Sequence, residues 1–369
     1  MADTAYGVNA PEAVKLWSRK LAREALKKTY AKRFMGTGSD SMIMIRNETN
    51  KGPGDRIRMT LRMQLTGDGV VGDQTLEGNE ESLTTWTDDL VINQLRHAVR
   101  SAGKMTEQRI PFSVREEAMQ GLADWWADRW DTWLFNQLCG FTPANAKIQL
   151  TGFNEIKAPT RIVRAGGAAN DQSLTTFATH GFSLALIDAA VEAAKVTTTG
   201  NVPPPIRPIM VDGKPYYIAF LHPYQVSALR ITTTASQAKP VLWYDIHRAA
   251  LQGGKMDNPI FSGALGEYNG VILHESTRIT QGVHSSTGAA VSNTARAVLC
   301  GAQAAVCGFG QGHDQSTYDW FEELFDYGNK LGVKAGCIAG LKKSRYNDQD
   351  FGCIVMSSYA GPIDLTPSN

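Results

Sequence analysis

Residues 113–140, SVREEAMQGLADWWADRWDTWLFNQLCG, constrain this chain more than any other stretch. No proline interrupts it. Ser113, followed three residues later by Glu116, has the form of a capping box: the hydroxyl accepts an N–H of the first turn and the carboxylate reaches back to the cap. Pro111 lies just outside the start, and Gly140 can take the left-handed stop position. At about 1.5 Å per residue the helix spans roughly 37 Å, well above the usual length. Four of the chain's eight tryptophans fall inside it, Trp125, Trp126, Trp130 and Trp133. They cannot share one narrow stripe, so this helix needs packing on more than one side. It reads as a spine for the rest of the chain.

Upstream, residues 12–33 read as an amphipathic helix with Val14, Trp17, Leu21 and Ala25 on one stripe. Lys15, Arg19, Arg23 and Lys27 form a second stripe, joined by Lys20, Lys28, Lys32 and Arg33, against only Glu12 and Glu24. The chain as a whole carries a net charge of +1, so it is not a basic nucleic-acid binder throughout; its charge is segregated. This face is either a solvated helix surface or an arm that touches phosphates or an acidic partner.

Residues 56–66 give the clearest strand: Ile57, Met59, Leu61, Met63 and Leu65 alternate with Arg56, Arg58, Thr60, Arg62, Gln64 and Thr66. A glycine-rich acidic stretch, residues 67–81, and a return segment, residues 82–92, complete a long hairpin with a polar tip. Between Asp68 and Asp89 there are seven carboxylates (Asp68, Asp73, Glu77, Glu80, Glu81, Asp88 and Asp89) and no basic residue. An isolated hairpin is marginal in water, so this one is expected to lie on something. Arginines on one strand and carboxylates beyond it suggest complementary contacts between copies of the chain.

After the spine, residues 141–179 read as a long excursion and residues 182–196 as a short helix. The PPP of residues 203–205 lies in an irregular connection. Residues 216–221 form a buried-type strand ended by His222-Pro223, with a helix near residues 224–230. Residues 241–251 are a helix candidate. Residues 269–275 and 295–306 are strand-like, the alanines of the second leaving it ambiguous, and residues 331–345 and 351–357 are closing strands. This order has no regular βαβ rhythm and indicates an α+β fold.

No constellation supports catalysis. His222, His247, His274 and His313 are far apart, and Arg278 stands where His274-Glu275 would need a second histidine for a zinc protease motif. Gly308-Phe309-Gly310-Gln311-Gly312 lacks the Lys-Ser/Thr of a phosphate loop and reads as a sheet-edge turn. Asp88-Asp89 and Glu322-Glu323 are sequence neighbours that point to different faces and make poor acid–base pairs. The five cysteines, Cys139, Cys300, Cys307, Cys337 and Cys353, form no CxxC pair and read as reduced, buried thiols of a cytoplasmic fold. No apolar run is long enough to cross a membrane, and the first residues lack the pattern of a secretory signal. No catalytic residue, metal or cofactor is expected.

Three blocks carry a family resemblance. The first is Gly103-Lys104-Met105-Thr106-Glu107-Gln108-Arg109, running through Leu122, Trp125 and Asp131 to Leu138-Cys139-Gly140. The second is Phe220-Leu221-His222-Pro223, and the third is residues 258–275, NPIFSGALGEYNGVILHE. With the order of elements, they make the chain similar to the major capsid proteins of tailed bacteriophages, of the Hong-Kong-97-type shell fold, and within these to the subgroup typified by coliphage N-four.

The resemblance implies an N-terminal arm (1–50), an extended loop that overlies a neighbour (51–104), a peripheral domain (105–172 and 331–369) and an axial domain (173–330). It implies an icosahedral shell of hexamers and pentamers around a double-stranded DNA genome, assembled in the bacterial cytoplasm. Portal protein, and separate scaffolding and cement proteins, are the implied partners. Arg56, Arg58, Arg62, Asp68, Asp73, Glu77, Glu80 and Glu81 would then make inter-subunit contacts, and the basic face from Lys15 to Arg33 would look inward to DNA. Some relatives weld the loop to a neighbour through a Lys–Asn bond; no lysine occurs from Gly52 to Gly103 here, so no such loop-borne weld is expected. Scaffolding is expected from a separate protein, because the arm is short. The rival readings are an encapsulin-like shell around protein cargo, a metal-dependent hydrolase built on the scattered histidines, and a nucleic-acid-binding module built on the N-terminal helix.

Overall fold

The spine is the axis of the computed structural model. The structure describes residues 11–48, 54–62, 65, 69–196, 204–211, 213–231, 264–314 and 317–362, without the side chains of 11–17, 26, 27 and 231. The first elements are α1 (Pro11–Lys28), β1 (Met35–Gly36), β2 (Ile43–Arg46), β3 (Arg56–Arg62), β4 (Thr85–Val91), β5 (Asn93–Arg100), α2 (Lys104–Arg109) and the spine α3 (Val114–Cys139). Then come β6 (Ile162–Arg164), α4 (Phe177–His180), α5 (Leu184–Lys195), β7 (Ile209–Val211), β8 (Lys214–Leu221), α6 (Pro223–Ile231), β9 (Ala264–Tyr268) and β10 (Val271–Glu275). The chain closes with β11 (Gly282–Val283), β12 (Ala290–Val291), β13 (Thr294–Cys300), β14 (Ala305–Phe309), β15 (Asp319–Phe325), β16 (Lys330–Lys343), β17 (Arg345–Tyr346), β18 (Gln349–Asp350) and β19 (Cys353–Tyr359). The helix candidate at residues 241–251 and the start of the third block, residues 258–263, lie outside the described residues.

The spine ends as its sequence predicts. Gly140 is left-handed (φ 64, ψ 45), its N–H bonds Gln137 O, and Phe141 N–H bonds Asn136 O at 3.0 Å, the paired closure of a Schellman stop. The start differs from the expected capping box. Ser113 has the backbone of a cap, but its hydroxyl makes no capping bond. The first turn is held instead by Arg115, whose guanidinium meets the buried Glu322 of β15 at 2.5 Å. A buried carboxylate offered by another element anchors that turn, and this is invisible from local spacing.

Packing on several sides accounts for the tryptophans. Trp126, Trp130 and Trp133 are buried. Trp126 stands edge-on to Trp125, Trp133 and Tyr318, and Trp130 donates its indole N–H to Tyr318 Oη at 2.8 Å. Leu21, Ala22 and Ala25 of α1 join the same core. Helix α1 ends at Lys28, short of the expected residue 33, and the chain tightens into a 3-10 turn at Ala31–Phe34. Asp131 of the spine fixes that turn: its two oxygens accept the backbone N–H groups of Tyr30 and Ala31, each at 3.0 Å. Burial pushes the Asp131 carboxyl above its ordinary value, against the lowering effect of these two bonds.

Two sheets flank the spine. The first has the order β1-β2-β14-β16-β15, with β5 also pairing β16; the second has the order β6-β19-β13-β8-β10-β9, with β7 on β8. Residues 18–46 are thus built into their own subunit, through α1 on the spine and β2 parallel to β14. Strand β8 is buried on both faces: Tyr216, Ile218 and Phe220 face the spine core, while Tyr217, Ala219 and Leu221 join α5 and α6 in a second core.

Residues 295–306 are two strands in different sheets. The chain leaves β13 at Gly301, where a Cβ would press on Arg207 and Ile206, and Gln303 takes a left-handed turn before β14. The sheets also cross the boundaries implied by the resemblance. β15 and β16 are neighbours on either side of residue 330, and β19 pairs β13 along its whole length.

Candidate assembly surfaces

The long strand β16 has two characters. Its odd-numbered residues Val333, Ala335, Cys337, Ala339 and Leu341 lie in the spine core. By strand alternation its even-numbered residues face the other way. On that outer face, at its far end, sits the hairpin of β3 and β4. Ile57, Met59, Leu90 and Ile92 pack on Met44, Val306 and Ile338. Each such side chain is worth about 1.5–3 kcal/mol when fully buried, enough to hold a hairpin that would be marginal alone.

Glycines let the hairpin down onto the sheet. A Cβ on Gly308 would lie 2.7 Å from Ile57 Cδ1, and one on Gly340 would collide with the carbonyl oxygen of Val91. Asn154 then pairs with Val91 as a strand would: its Oδ1 accepts the Val91 N–H at 2.9 Å and its Nδ2 donates to Val91 O at 3.0 Å. The spine holds this clamp in place, because Gln137 Nε2 donates to Thr151 O and Asn154 O. Asp88 accepts the Lys342 ammonium and the Arg345 N–H. The Gly340→Val variant is expected to lose about 1–3 kcal/mol by overpacking and to release the hairpin root. Hydrogen exchange at the Val91 amide measures that release, with a slow exchange rate kept in the variant as the contrary result.

Among the described residues the hairpin is paired only at its root. β3 is described over Arg56–Arg62; residues 63, 64 and 66 of the expected strand lie outside the described residues, and Leu65 is 56% exposed where alternation places it inward. Among the described residues of β3 the apolar seat beneath the hairpin stops at Met59. Beyond it, Val71, Leu76 and Leu83 are 77, 61 and 59% exposed. Asp73, Glu77, Glu80 and Glu81 lie exposed among them; Asp68 is outside the described residues. Arg56 and Arg62 are exposed. Arg58 is exposed too, but its guanidinium holds both oxygens of Asp89 across the hairpin, at 2.8 and 2.9 Å. Those hydrogen bonds hold the Asp89 carboxyl below its ordinary value. The two carboxylates nearest the root, Asp88 and Asp89, therefore serve their own chain, and the tip carboxylates lie apart from them.

The basic face of α1 and the turn after it forms a second surface. Arg19, Lys20, Arg23, Lys28, Lys32 and Arg33 are exposed, opposite the buried Leu21, Ala22 and Ala25. Lys28 meets Asp124 at 2.6 Å, and Arg33 lies over the Tyr30 ring. The side chains of Lys15 and Lys27, with those of Val14 and Trp17, fall outside the described ones.

The remaining candidates are structural. His274 is buried edge-on to Tyr30 and Phe34 and tilted against Phe220; His222 lies just before α6, His313 is on a turn, and His247 is outside the described residues. Among the described residues no three His, Cys, Asp or Glu side chains converge as metal ligands. All five cysteines are buried as free thiols, and burial pushes the pKa of each above its ordinary value, which keeps them protonated. Gly308-Phe309 ends β14 and the chain turns at Gly310, so that stretch is a sheet-edge turn. Among the described residues no helix is long and apolar enough to cross a membrane.

A spine helix between two sheets, with a long hairpin rooted on one of them, is the Hong-Kong-97-type capsid architecture. Comparison with known proteins agrees. The chain belongs to the phage capsid protein family, which matches residues 5–361. It is 28% identical to the major capsid protein of Pseudomonas phage KPP25, over 92% of this chain and 93% of that one. The capsid structure of Ralstonia phage GP4 is 31% identical and covers both chains completely, with a TM-score of 0.76. The capsid of cyanophage Pam1 shares the fold at 19% identity and a TM-score of 0.65, over 91% of this chain and 93% of that one. The protein is therefore a tailed-phage major capsid protein: it is structural and non-enzymatic, it self-associates into an icosahedral shell, and its place is the virion.

Proposed function

We propose that the hairpin is the extended loop through which one subunit grips the next in hexamers and pentamers. One observation carries this reading: the hairpin root is fastened by apolar burial, an amide clamp and an ion pair, while three large apolar side chains of its tip stand in water. A rigid root beneath a sticky, acidic tip suits a reach towards another molecule. A closed shell repeats one contact many times, so each contact can be modest. In this reading residues 51–104 are the loop, residues 1–50 the arm, 105–172 and 331–369 the peripheral domain, and 173–330 the axial domain. Arg56, Arg62, Asp73, Glu77, Glu80 and Glu81 are exposed where a neighbour can meet them, and Arg58 contributes by stiffening the root. Particle formation with and without residues 67–81 tests the reading.

The α1 face looks to the shell interior and meets packaged double-stranded DNA through phosphates, without sequence preference. Its exposed, clustered cations support this. Assembly takes place in the host cytoplasm, with a portal protein and with separate scaffolding and cement proteins where the shell uses them. Binding of soluble subunits to arbitrary duplex DNA is expected to fall steeply with salt. It should weaken further in an Arg19→Gln, Arg23→Gln, Lys32→Gln variant; unchanged binding in that variant would place the DNA contact elsewhere.

A further inference from the structure

Beyond the end of the spine the chain leaves a small polar cleft of about 270 Å³. Thr142 after the spine, Arg164 of β6, Asn170 and Asp171 of the next turn, and His284 and Ser285 after β11 line it. These walls are held in place. Val283 N–H donates to Asp171 Oδ2 at 3.1 Å. Gln172 Nε2 donates to Ser285 Oγ at 2.8 Å, and Ser285 N–H returns a bond to Gln172 Oε1 at 3.3 Å. The β11–β12 hairpin is thus pinned along one wall, and the spine end forms the other.

The hydrogen bonds separate the groups that are used from those that are not. Asp171 is satisfied: Oδ1 accepts from Arg164 Nε, and Oδ2 from Arg296 Nε and Val283 N–H. Arg296, which also borders the cleft, is used at every nitrogen, since Nη1 donates to Cys139 O and Gly140 O and Nη2 meets Asp171. Arg164 is used at Nε alone. Its side chain is 23% exposed, and its two terminal nitrogens have no partner among the described residues. His284 Nδ1 accepts the N–H groups of Ser286 and Thr287 at 3.2 and 3.3 Å, which places the ring proton on Nε2. No described residue accepts that proton, and the side chains of Asn170 and Thr142 make no hydrogen bond among the described residues. Two guanidiniums against one carboxylate leave the cleft with a net positive charge.

We infer that this cleft binds a phosphate group, carried by free phosphate or by a small phosphate monoester. The terminal nitrogens of Arg164 form the planar fork that grips two oxygens of a phosphate at once. His284 Nε2–H, the Thr142 hydroxyl and the Asn170 amide supply further donors around it. The one carboxylate, which would otherwise favour a cation, is already met by three donors. The cleft is small for a ligand site and suits a single compact group with its waters. Bound there, phosphate joins the spine end, β6 and the β11–β12 hairpin, and adds to the anchorage that Asp171 gives from below. The site is separate from both the long hairpin and the basic face of α1.

Titration of the full-length soluble subunit with inorganic phosphate and, separately, with phenyl phosphate tests the site, with chloride at matched ionic strength as the reference. Saturable binding is expected, with a rise in melting temperature and slower hydrogen exchange at the Ser286 and Thr287 amides. Binding of either probe supports the site, and the tighter one identifies whether the occupant is free or esterified. Asn170→Asp puts a carboxylate on the wall and removes no described side-chain hydrogen bond. It should weaken phosphate binding by about tenfold or more and leave the melting temperature without phosphate unchanged. Arg164→Lys keeps the charge but loses the fork and should weaken binding too. A phosphate effect no larger than that of chloride would overturn the site. So would binding that is unchanged in both variants, or exchange protection that falls on α1 instead.

Discussion

A chain lacking residues 67–81 is expected to fold as a stable, soluble subunit and to form no closed particles. Apart from the half-buried Val70, the described part of this segment is exposed, and none of it joins the three buried cores. Its loss removes Val71 and Leu76 with all five tip carboxylates, but leaves Ile57, Met59, Leu90, the Asn154 clamp and the Asp88–Lys342 pair in place. Stability should therefore change by about 0.5 kcal/mol or less, as for surface changes away from special features. Assembly responds differently, because every subunit loses the same contact. A loss of about 1.4 kcal/mol weakens one contact tenfold, and a shell multiplies that loss over all its interfaces. Sedimentation velocity beside thermal melting checks both halves of the expectation. Normal shells from the deleted chain would show that the tip has no part in assembly.

The largest stability effect is expected from Asp171→Ala. Asp171 is buried between two arginines: Arg296 reaches it with Nε and Nη2 at 2.8 and 2.7 Å, and Arg164 with Nε at 2.8 Å. Arg296 also donates to Cys139 O and Gly140 O, the carbonyls at the end of the spine. One carboxylate thus ties the spine terminus, β6, β11 and β13 together. Removing it leaves the Arg296 charge buried without its partner, which costs about 3–5 kcal/mol. Denaturant unfolding of the soluble subunit measures the loss, and a change below about 1 kcal/mol would refute the role assigned to the pair.

The same site sets a pH dependence. Burial alone would raise the Asp171 carboxyl, but the Arg296 charge and the hydrogen bonds from Arg164, Arg296 and Val283 N–H outweigh it and hold it below its ordinary value of 3.8. A carboxylate lowered by folding contributes stability that is fully present above its unfolded value and is lost as pH falls through its folded one. The gap between the parent chain and Asp171→Ala should hold steady down to about pH 5 and shrink below about pH 4.

The elements that were readable from the residues share one property: local pattern and tertiary role agree. The spine is uninterrupted and ends in a glycine that does take the left-handed turn. From Tyr216 onward β8 is apolar and is buried on both faces. β5 was missed because its residues, NQLRHAVR, are mostly exposed in the subunit and carry no apolar period for burial to explain. The switch of sheets at Gly301 was missed because β13 and β14 are equally apolar. Of the hairpin carboxylates, seven look alike in the sequence, and only the structure separates Asp88 and Asp89, which serve the root, from the exposed tip. Asn154 left no signal, since a lone Asn in a loop is ordinary. The glycines at 332, 336 and 340 did leave one: spaced by four in a strand, they mark a single face that others approach closely.

The measurement that bears most directly on this account is a cryo-electron microscopy reconstruction of particles assembled from the full chain. The account predicts closed shells in which each hairpin tip lies on a neighbouring subunit, with the basic face of α1 turned to the interior. Shells in which the tip touches only its own subunit or projects freely, with Arg19 and Arg23 on the outside, would contradict it.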